Sequence, residues 1–172
     1  ECTQVAGSSL TTSKRINQKE NIMPTEVTFA ELKNMSGVDL GFSQYRQITQ
    51  EQINEFADAT DDHNWIHVDV TKAESGPFGK PIAHGFLTLS LGIAMWTELL
   101  EVTDVTTKVN YGLEKVRFVS PVPVGSRIRM GAVIDSVMEV PGGVQITVSQ
   151  TIEVEGSTKP AVAAVGIYRF YS

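Results

Sequence analysis

The sequence predicts an α+β domain in which a long antiparallel sheet wraps around one central apolar helix. Two observations carry this prediction. The segment His84–Leu100 is apolar on almost every side, which is typical of a buried helix. After Thr103 the chain becomes rich in β-forming residues divided by short turns, which indicates an antiparallel meander. Because a helix that is apolar all round must be covered, we expect the sheet to curl around it.

Length and composition fit one soluble globular domain. The chain has 172 residues, of which 41% are hydrophobic and 20% charged, and this excludes a disordered protein. The net charge of −6 argues against nucleic acid as a partner. The apolar segment falls short of the roughly 20 residues that a membrane span needs, so no membrane association is expected. The single cysteine, Cys2, has no internal disulfide partner, which favours a reducing, cytoplasmic location.

The first 22 residues differ from the rest. They are rich in Ser, Thr, Gln, Asn and Lys, show no hydrophobic period, and lack the apolar core of a secretory signal. We expect residues 1–22 to be a flexible segment, either a native tail or residues foreign to the natural protein. Residues 23–172 are expected to form the single domain, with Met23 as the natural start.

Two helices are predicted before the central segment because two residue pairs have capping-box spacing. Thr28 with Glu31 predicts a short helix over 28–35, and Thr49 with Gln52 predicts a helix over 49–60. A strand is expected between them over 42–48, and another short helix after Asp69.

Turn residues divide the β region into four predicted strands. Pro141-Gly142-Gly143 is a hairpin turn, and Glu155-Gly156-Ser157 turns the chain again. An open sheet leaves unpaired edges and apolar surface, which a second copy of the chain would cover, so we expect a homodimer. The strands are predicted over Val109–Val119, Arg127–Val140, Val144–Val154 and Ala161–Tyr171.

Candidate chemistry is concentrated between Asp62 and Gly85. Asp62 and His67 are five residues apart on what reads as a turn, and Gly85 opens the central helix. An acid and an imidazole can hold a water or move a proton, and a helix N-terminus can receive developing negative charge. His63 with His67 has a ligand spacing, but the glutamate of the helical metal motif is missing, and no metal is expected. His84 is expected to be structural.

These residues resemble a known family. Asp62-His63-Asn64-Trp65-Ile66-His67, followed by His84-Gly85, is similar to the signature of the MaoC-like (R)-specific enoyl-CoA hydratases. The further match at Gly76-Pro77-Phe78-Gly79 resembles the NodN-like branch of that family, and the resemblance extends from about Pro24 to the C-terminus. It implies the hotdog fold. Trp65 departs from the broader pattern, which has proline there, and this puts the shape of the acyl pocket in question.

The resemblance implies (R)-specific hydration of a trans-2-enoyl-CoA to an (R)-3-hydroxyacyl-CoA without a cofactor. Asp62 would be the general base, His67 would orient the water, and the backbone N–H of Gly85 would receive charge from the thioester oxygen. Asn64 is expected to steady the loop or the thioester, while Trp65 and Phe78 are expected to line the substrate pocket.

Two alternatives remain open from the sequence. One is a hotdog acyl-CoA thioesterase, and the other is a non-catalytic acyl-CoA-binding accessory protein. The phosphates of CoA need basic partners, but no single residue stands out among the candidates: Lys80, Lys115, Arg117, Arg127 and Arg129.

Overall fold

A six-stranded antiparallel sheet is the main structural element of the fold, and one helix packs against it. The computed structural model describes residues 23–172, so the predicted segment 1–22 lies outside the described residues. The elements, in chain order, are β1 (Thr25–Val27), α1 (Phe29–Leu32), β2 (Asp39–Phe42), β3 (Arg46–Gln47), α2 (Gln50–Thr60), α3 (Trp65–Val68), α4 (Val70–Glu74), α5 (Gly85–Trp96), β4 (Leu100–Val102), β5 (Thr107–Phe118), β6 (Arg127–Val140), β7 (Gly143–Val154) and β8 (Pro160–Tyr171).

The sheet has the strand order β2-β6-β7-β8-β5, with β3 also pairing with β6. The predicted meander is confirmed for β6, β7 and β8, which pair consecutively. It is wrong for β5, which pairs with β8 and not with β6. The segment between β5 and β6 contains Pro121 and Pro123, which have no backbone N–H to donate to the hydrogen bonds of a hairpin. It instead crosses the end of the sheet, a distance of about 14 Å over three strand spacings.

The core lies between α5 and one face of the sheet. Val144, Ile146 and Val148 of β7 are fully buried and alternate with partly exposed residues, as the period of two predicts. The helix comes close to the sheet at Gly92, where a Cβ atom would lie 3.6 Å from Ile152. This packing confirms the long antiparallel sheet against an apolar helix that defines the predicted fold.

The central helix is shorter and more exposed than predicted. It ends at Trp96, and Leu100 already belongs to β4, which forms an unpredicted parallel pair with β1. Phe86 is 67% exposed and Ile93 is 40% exposed, so the expectation of a helix buried on every side is wrong. One sheet covers only one side of a helix, and the opposite apolar side of α5 stays open in the single chain.

The elements before α5 follow their capping signals closely. Thr28 with Glu31 and Thr49 with Gln52 both form complete capping boxes at α1 and α2. The strand predicted over 42–48 has the wrong bounds, because β2 ends at Phe42 and only Arg46–Gln47 of that range forms a strand, β3. Ser43 lies between them, and its hydroxyl accepts a hydrogen bond from the backbone N–H of Met130.

Candidate active site

A cavity of about 260 Å³ opens at the N-terminal end of α5. One wall comes from the chain that leads into α5, and the other comes from the end of β5 and the start of β8. His67 is the titratable residue among the lining residues, and the other walls are mostly apolar. The lining residues are His67, Phe78, Ile82, Ala83, Gly85, Thr88, Phe118, Val119, Ser120, Pro121, Val122, Ala161 and Val162.

Asp62 is placed by a sharp reversal at the end of α2. The helix ends at Asp61, which adopts the left-handed conformation with φ of 57°. Aspartate tolerates this conformation better than most residues do. The next residue, Asp62, therefore turns back toward α5, with its side chain 57% exposed.

His67 lies on α3 rather than on the turn that the sequence predicted. Asn64 caps this single helical turn because its Oδ1 accepts the N–H of Ile66 at 3.3 Å. The His67 Nδ1 donates to the carbonyl of Ile82 at 2.7 Å, since a carbonyl can only accept. Gln50 Nε2 also donates to the His67 carbonyl at 2.8 Å, which anchors α3 to α2.

The environment of His67 favours the neutral imidazole. Burial lowers the pKa of His67, and the nearby His84 ring lowers it further, while the hydrogen bond to Ile82 and the charge of Asp62 oppose the shift. Because Nδ1 carries the proton, Nε2 keeps a lone pair. His67 is thus poised to accept a hydrogen bond or a proton at Nε2.

His84 lies between the two predicted catalytic groups. Its ring stacks on the His67 ring with centroids 3.8 Å apart, and its Nε2 donates to the Asp62 carbonyl at 2.9 Å. The ring is only 3% exposed, and Phe56 packs against it at 5.0 Å. These contacts agree with the expectation that His84 is structural.

Asp62, His67 and His84 form one polar cluster. A carboxylate oxygen of Asp62 and a ring nitrogen of each histidine all lie within 4.8 Å of one another. Two acceptors bridged by one water lie about 4.6 Å apart at ordinary hydrogen-bond lengths, so the cluster can hold a water. The arrangement suits a metal less well, because His84 Nε2 already donates its hydrogen to the Asp62 carbonyl at 2.9 Å.

Gly85 is the first residue of α5 and lines the cavity. A Cβ atom at this position would lie 2.8 Å from Cγ of Phe118, so only glycine fits against that ring. The first N–H groups of a helix have no partner within the helix, and the side chain of the N-cap residue His84 makes no capping hydrogen bond. The N-terminus of α5 therefore lies at the cavity without a side-chain cap from His84.

The three residues predicted to bind substrate have different surroundings. Phe78 lines the cavity. Asn64 is the N-cap of α3 and therefore stabilises the helical turn that carries His67. Trp65 is not among the cavity-lining residues. Its ring packs so closely against Gly76 that a Cβ atom there would lie 2.9 Å from the ring, and Lys72 Nζ lies 4.8 Å from the ring centre. The structure does not bring Trp65 to the cavity.

Sequence reasoning missed the distant walls of the cavity. Phe118 and Val119 end β5, and Ala161 and Val162 begin β8, more than thirty residues from the predicted stretch. Nothing in their spacing links them to His67. For His84 the sequence did carry a signal, because this residue directly precedes Gly85 at the predicted helix start. His63 lies outside the cluster, and its Nε2 contacts Asp58 Oδ1 at 2.9 Å.

Comparison with known proteins agrees with this architecture. Residues 31–157 match the MaoC-like domain. The 3-hydroxyacyl-thioester dehydratase Z of Mycobacterium tuberculosis (strain ATCC 25618 / H37Rv) is 50% identical over 149 residues, which cover 86% of this chain and 99% of that protein. Nodulation protein N of Rhizobium meliloti (strain 1021) is 39% identical over 142 residues, covering 81% and 88% of the two chains.

Solved structures show the same fold. The R-hydratase PhaJ1 from Pseudomonas aeruginosa superposes with a TM-score of 0.66 at 21% identity, covering 82% of this chain and 83% of that one. The chain thus has the hotdog fold, and it is an enzyme of the hydratase and dehydratase class. In particular, it belongs to the MaoC-like dehydratase family and to the NodN-like branch of that family. Across the described residues, every helix is too short or too polar to cross a membrane.

Proposed function

We propose that this protein catalyses the reversible, (R)-specific hydration of a trans-2-enoyl thioester to an (R)-3-hydroxyacyl thioester. The observation that carries the proposal is the pair of acceptors, Asp62 and His67, beside the free N-terminus of α5. The name of the relative from Mycobacterium tuberculosis, a 3-hydroxyacyl-thioester dehydratase, supports the same substrate class.

The chemistry needs one water. It donates one hydrogen to the Asp62 carboxylate and the other to His67 Nε2, which leaves an oxygen lone pair free to attack C3 of the enoyl group. Asp62 removes one proton of this water as the C3–O bond forms, and that same proton then passes to C2 on the same face, so that one water supplies both the hydroxyl and the added hydrogen and the Asp62 carboxylate is regenerated. Dehydration is the reverse sequence. Acid–base assistance of this kind typically contributes about 10²–10⁴-fold in rate.

Attack at C3 moves negative charge onto the thioester oxygen. The backbone N–H of Gly85 is the donor proposed to receive this charge, because it lies at the uncapped N-terminus of α5. A preorganised donor acts most strongly in a site from which water is excluded, and the apolar walls of the cavity favour that condition. Removing such a donor typically costs about 10²–10³-fold in rate.

The acyl carrier is proposed to be coenzyme A. Of the basic candidates, Arg127 bonds Glu155 and Arg129 bonds Glu153, so both have acidic partners already. Arg117 directly precedes Phe118 in the cavity wall, and Lys80 lies between the lining residues Phe78 and Ile82. Arg117 and Lys80 are therefore better placed for the phosphates of a carrier.

We also infer a homodimer. β5 pairs with β8 on one side, and its other edge has no partner strand in the described part of the chain. Tyr111 and Leu113 on β5 are 54% and 46% exposed, and Phe86 on α5 is 67% exposed. A second copy would cover both the edge and these apolar residues. Sedimentation analysis should give twice the chain mass, and Leu113→Lys should shift the protein toward monomer.

Crotonyl-CoA tests the proposed reaction directly. Loss of the enoyl absorbance with formation of (R)-3-hydroxybutyryl-CoA, identified by chiral chromatography, is the expected result. Release of free thiol without a hydroxyacyl product would identify a thioesterase instead. Binding of the thioester without any turnover would favour an accessory protein.

A further inference from the structure

The start of α5 differs from the start of the four other helices that the structure describes. Thr28, Thr49, Asn64 and Asp69 each use a side-chain oxygen to accept a backbone N–H of the helix that they begin. These residue types are the ones preferred at helix N-caps. His84 occupies the same position at α5, and its side chain makes no capping hydrogen bond. The imidazole must therefore be explained by something other than the helix that follows it.

The His84 ring instead contacts both groups of the proposed catalytic pair. Nε2 donates to the Asp62 carbonyl at 2.9 Å and lies 4.0 Å from the Asp62 carboxylate. One face of the ring stacks on His67, at 3.8 Å and 27° between the planes. The Asp62 carbonyl and the Asp62 carboxylate thus both lie near His84 Nε2, although the Asp62 side chain is 57% exposed.

The two hydrogen bonds to carbonyls require opposite tautomers in the stacked rings. A carbonyl oxygen only accepts, so His84 carries its proton on Nε2 and His67 carries its proton on Nδ1. The His84 Nδ1 lone pair is buried and has no partner among the described residues. His84 is thus held from its Nε2 side, while His67 presents its Nε2 lone pair.

We propose that His84 is the positioning residue of this site: its Nε2–H fixes the backbone of Asp62, and its ring fixes the plane of His67, so that one water meets both acceptors. This inference rests on the proposed hydration chemistry. In this inference His84 contacts neither the water nor the thioester, but it sets the distance between Asp62 and His67, which contact the water. A displacement of about 1 Å in such a pair can cost about 10²-fold in rate.

Three substitutions separate the hydrogen bond from the stacked ring. His84→Phe keeps an aromatic ring and removes the donor, so kcat for crotonyl-CoA should fall about 10- to 100-fold while KM changes less than about threefold. His84→Gln restores an amide N–H near the position of Nε2 and should recover much of kcat. His84→Asn places its amide nearer the position of Nδ1 and should not. His63→Phe, at the exposed histidine paired with Asp58, is the matched control and should keep wild-type kcat.

The outcomes decide between positioning and packing. Wild-type kcat in folded His84→Phe, or equal losses in the glutamine and asparagine variants at equal melting temperature, would overturn the proposal. Nitrogen NMR of the unaltered protein provides a readout that needs no turnover, because the chain has only 3 histidines. We expect the Nε2–H form for His84 and the Nδ1–H form for His67; an Nδ1–H form for His84 would also overturn it. If the unaltered protein shows these tautomers but hydrates no enoyl thioester, the proposed function fails while the positioning geometry stands.

Discussion

The meander of β6, β7 and β8 and the segment from Asp61 to Gly85 satisfy their polar groups in different ways. In the meander the backbone groups pair in long ladders, and the side chains alternate between core and surface. The segment 61–85 has two helices of four and five residues, a left-handed aspartate, and a buried imidazole nitrogen that has no hydrogen-bond partner within residues 23–172. The difference fits a division in which the sheet supplies stability, while the irregular segment holds the groups proposed to carry out the chemistry.

The largest expected effect is on turnover, from a change in the irregular segment. Asp62→Asn keeps the size of the side chain and removes its basicity, so kcat for crotonyl-CoA should fall about 10²–10⁴-fold. The melting temperature should change little, because the side chain is 57% exposed. Asp58→Asn, at an exposed acid of α2, is the control and should keep activity. Full turnover in Asp62→Asn would show that the active site lies elsewhere.

The next effect is on stability, from a change in the meander. Ile146 is completely buried between Val137 and Tyr168 of the neighbouring strands. Ile146→Ala should lower the free energy of unfolding by about 2–5 kcal/mol, because it removes buried methylenes and leaves a cavity. Denaturant titration measures this loss, and kcat per folded molecule should stay near the wild-type value. Thr147→Ala, on the opposite face, should change stability by less than about 1 kcal/mol. A large loss of kcat in folded Ile146→Ala would mean that sheet and site are not separable.

A smaller effect is expected where the two regions join, at the start of α2. The Thr49 hydroxyl accepts the N–H of Gln52 at 3.2 Å, and α2 carries both Gln50 and the turn that leads to Asp62. Thr49→Ala should lower the free energy of unfolding by about 1 kcal/mol. Thr60→Ala on the same helix removes an exposed hydroxyl bonded to the Phe56 carbonyl and should have a weaker effect. Chemical denaturation of the two variants compares them directly, and equal losses would argue against the cap.

The smallest effect is a pH dependence that distinguishes two histidines of the segment. Burial holds the pKa of His67 below the usual value of about 6.5, so the unfolded chain binds more protons just below that pH. Its contribution to stability is therefore present above about pH 6.5 and lost as the pH falls through the pKa of folded His67. His63 behaves oppositely, because its hydrogen bond with Asp58 raises its pKa.

Unfolding curves between pH 5 and pH 8 check this difference. The unaltered protein should lose stability toward acid more steeply than His67→Asn, in which the buried imidazole is absent. His63→Asn should still lose stability as the pH falls, because His67 is unchanged. It should lack the contribution of His63 to the free energy of unfolding, which weakens as the pH rises. An unchanged acid-side slope in His67→Asn would assign the effect to other groups.

Much of the architecture could be predicted from local patterns. The bounds of β6 were predicted correctly because its turn signals are local, and both capping boxes identified their helices for the same reason. The predicted pairing of Asp62 with His67 beside Gly85 came from a local spacing and from the family resemblance. Local spacing did not predict that Trp65 packs on Gly76 away from the cavity, because that contact depends on how α3 and α4 fold together.

Local patterns were sufficient to predict an apolar helix, three strands joined by tight turns, and an acid, an imidazole and a glycine near the helix start. The strand beside β8, the open side of α5 and the free ring nitrogen of His67 became known from the folded structure. These two groups of features differ because the interactions behind them act over different ranges. Caps, turns and periodicity act within a few residues, whereas the place of β5, the open face of α5 and the tautomers of His67 and His84 are set by partners that only folding brings together.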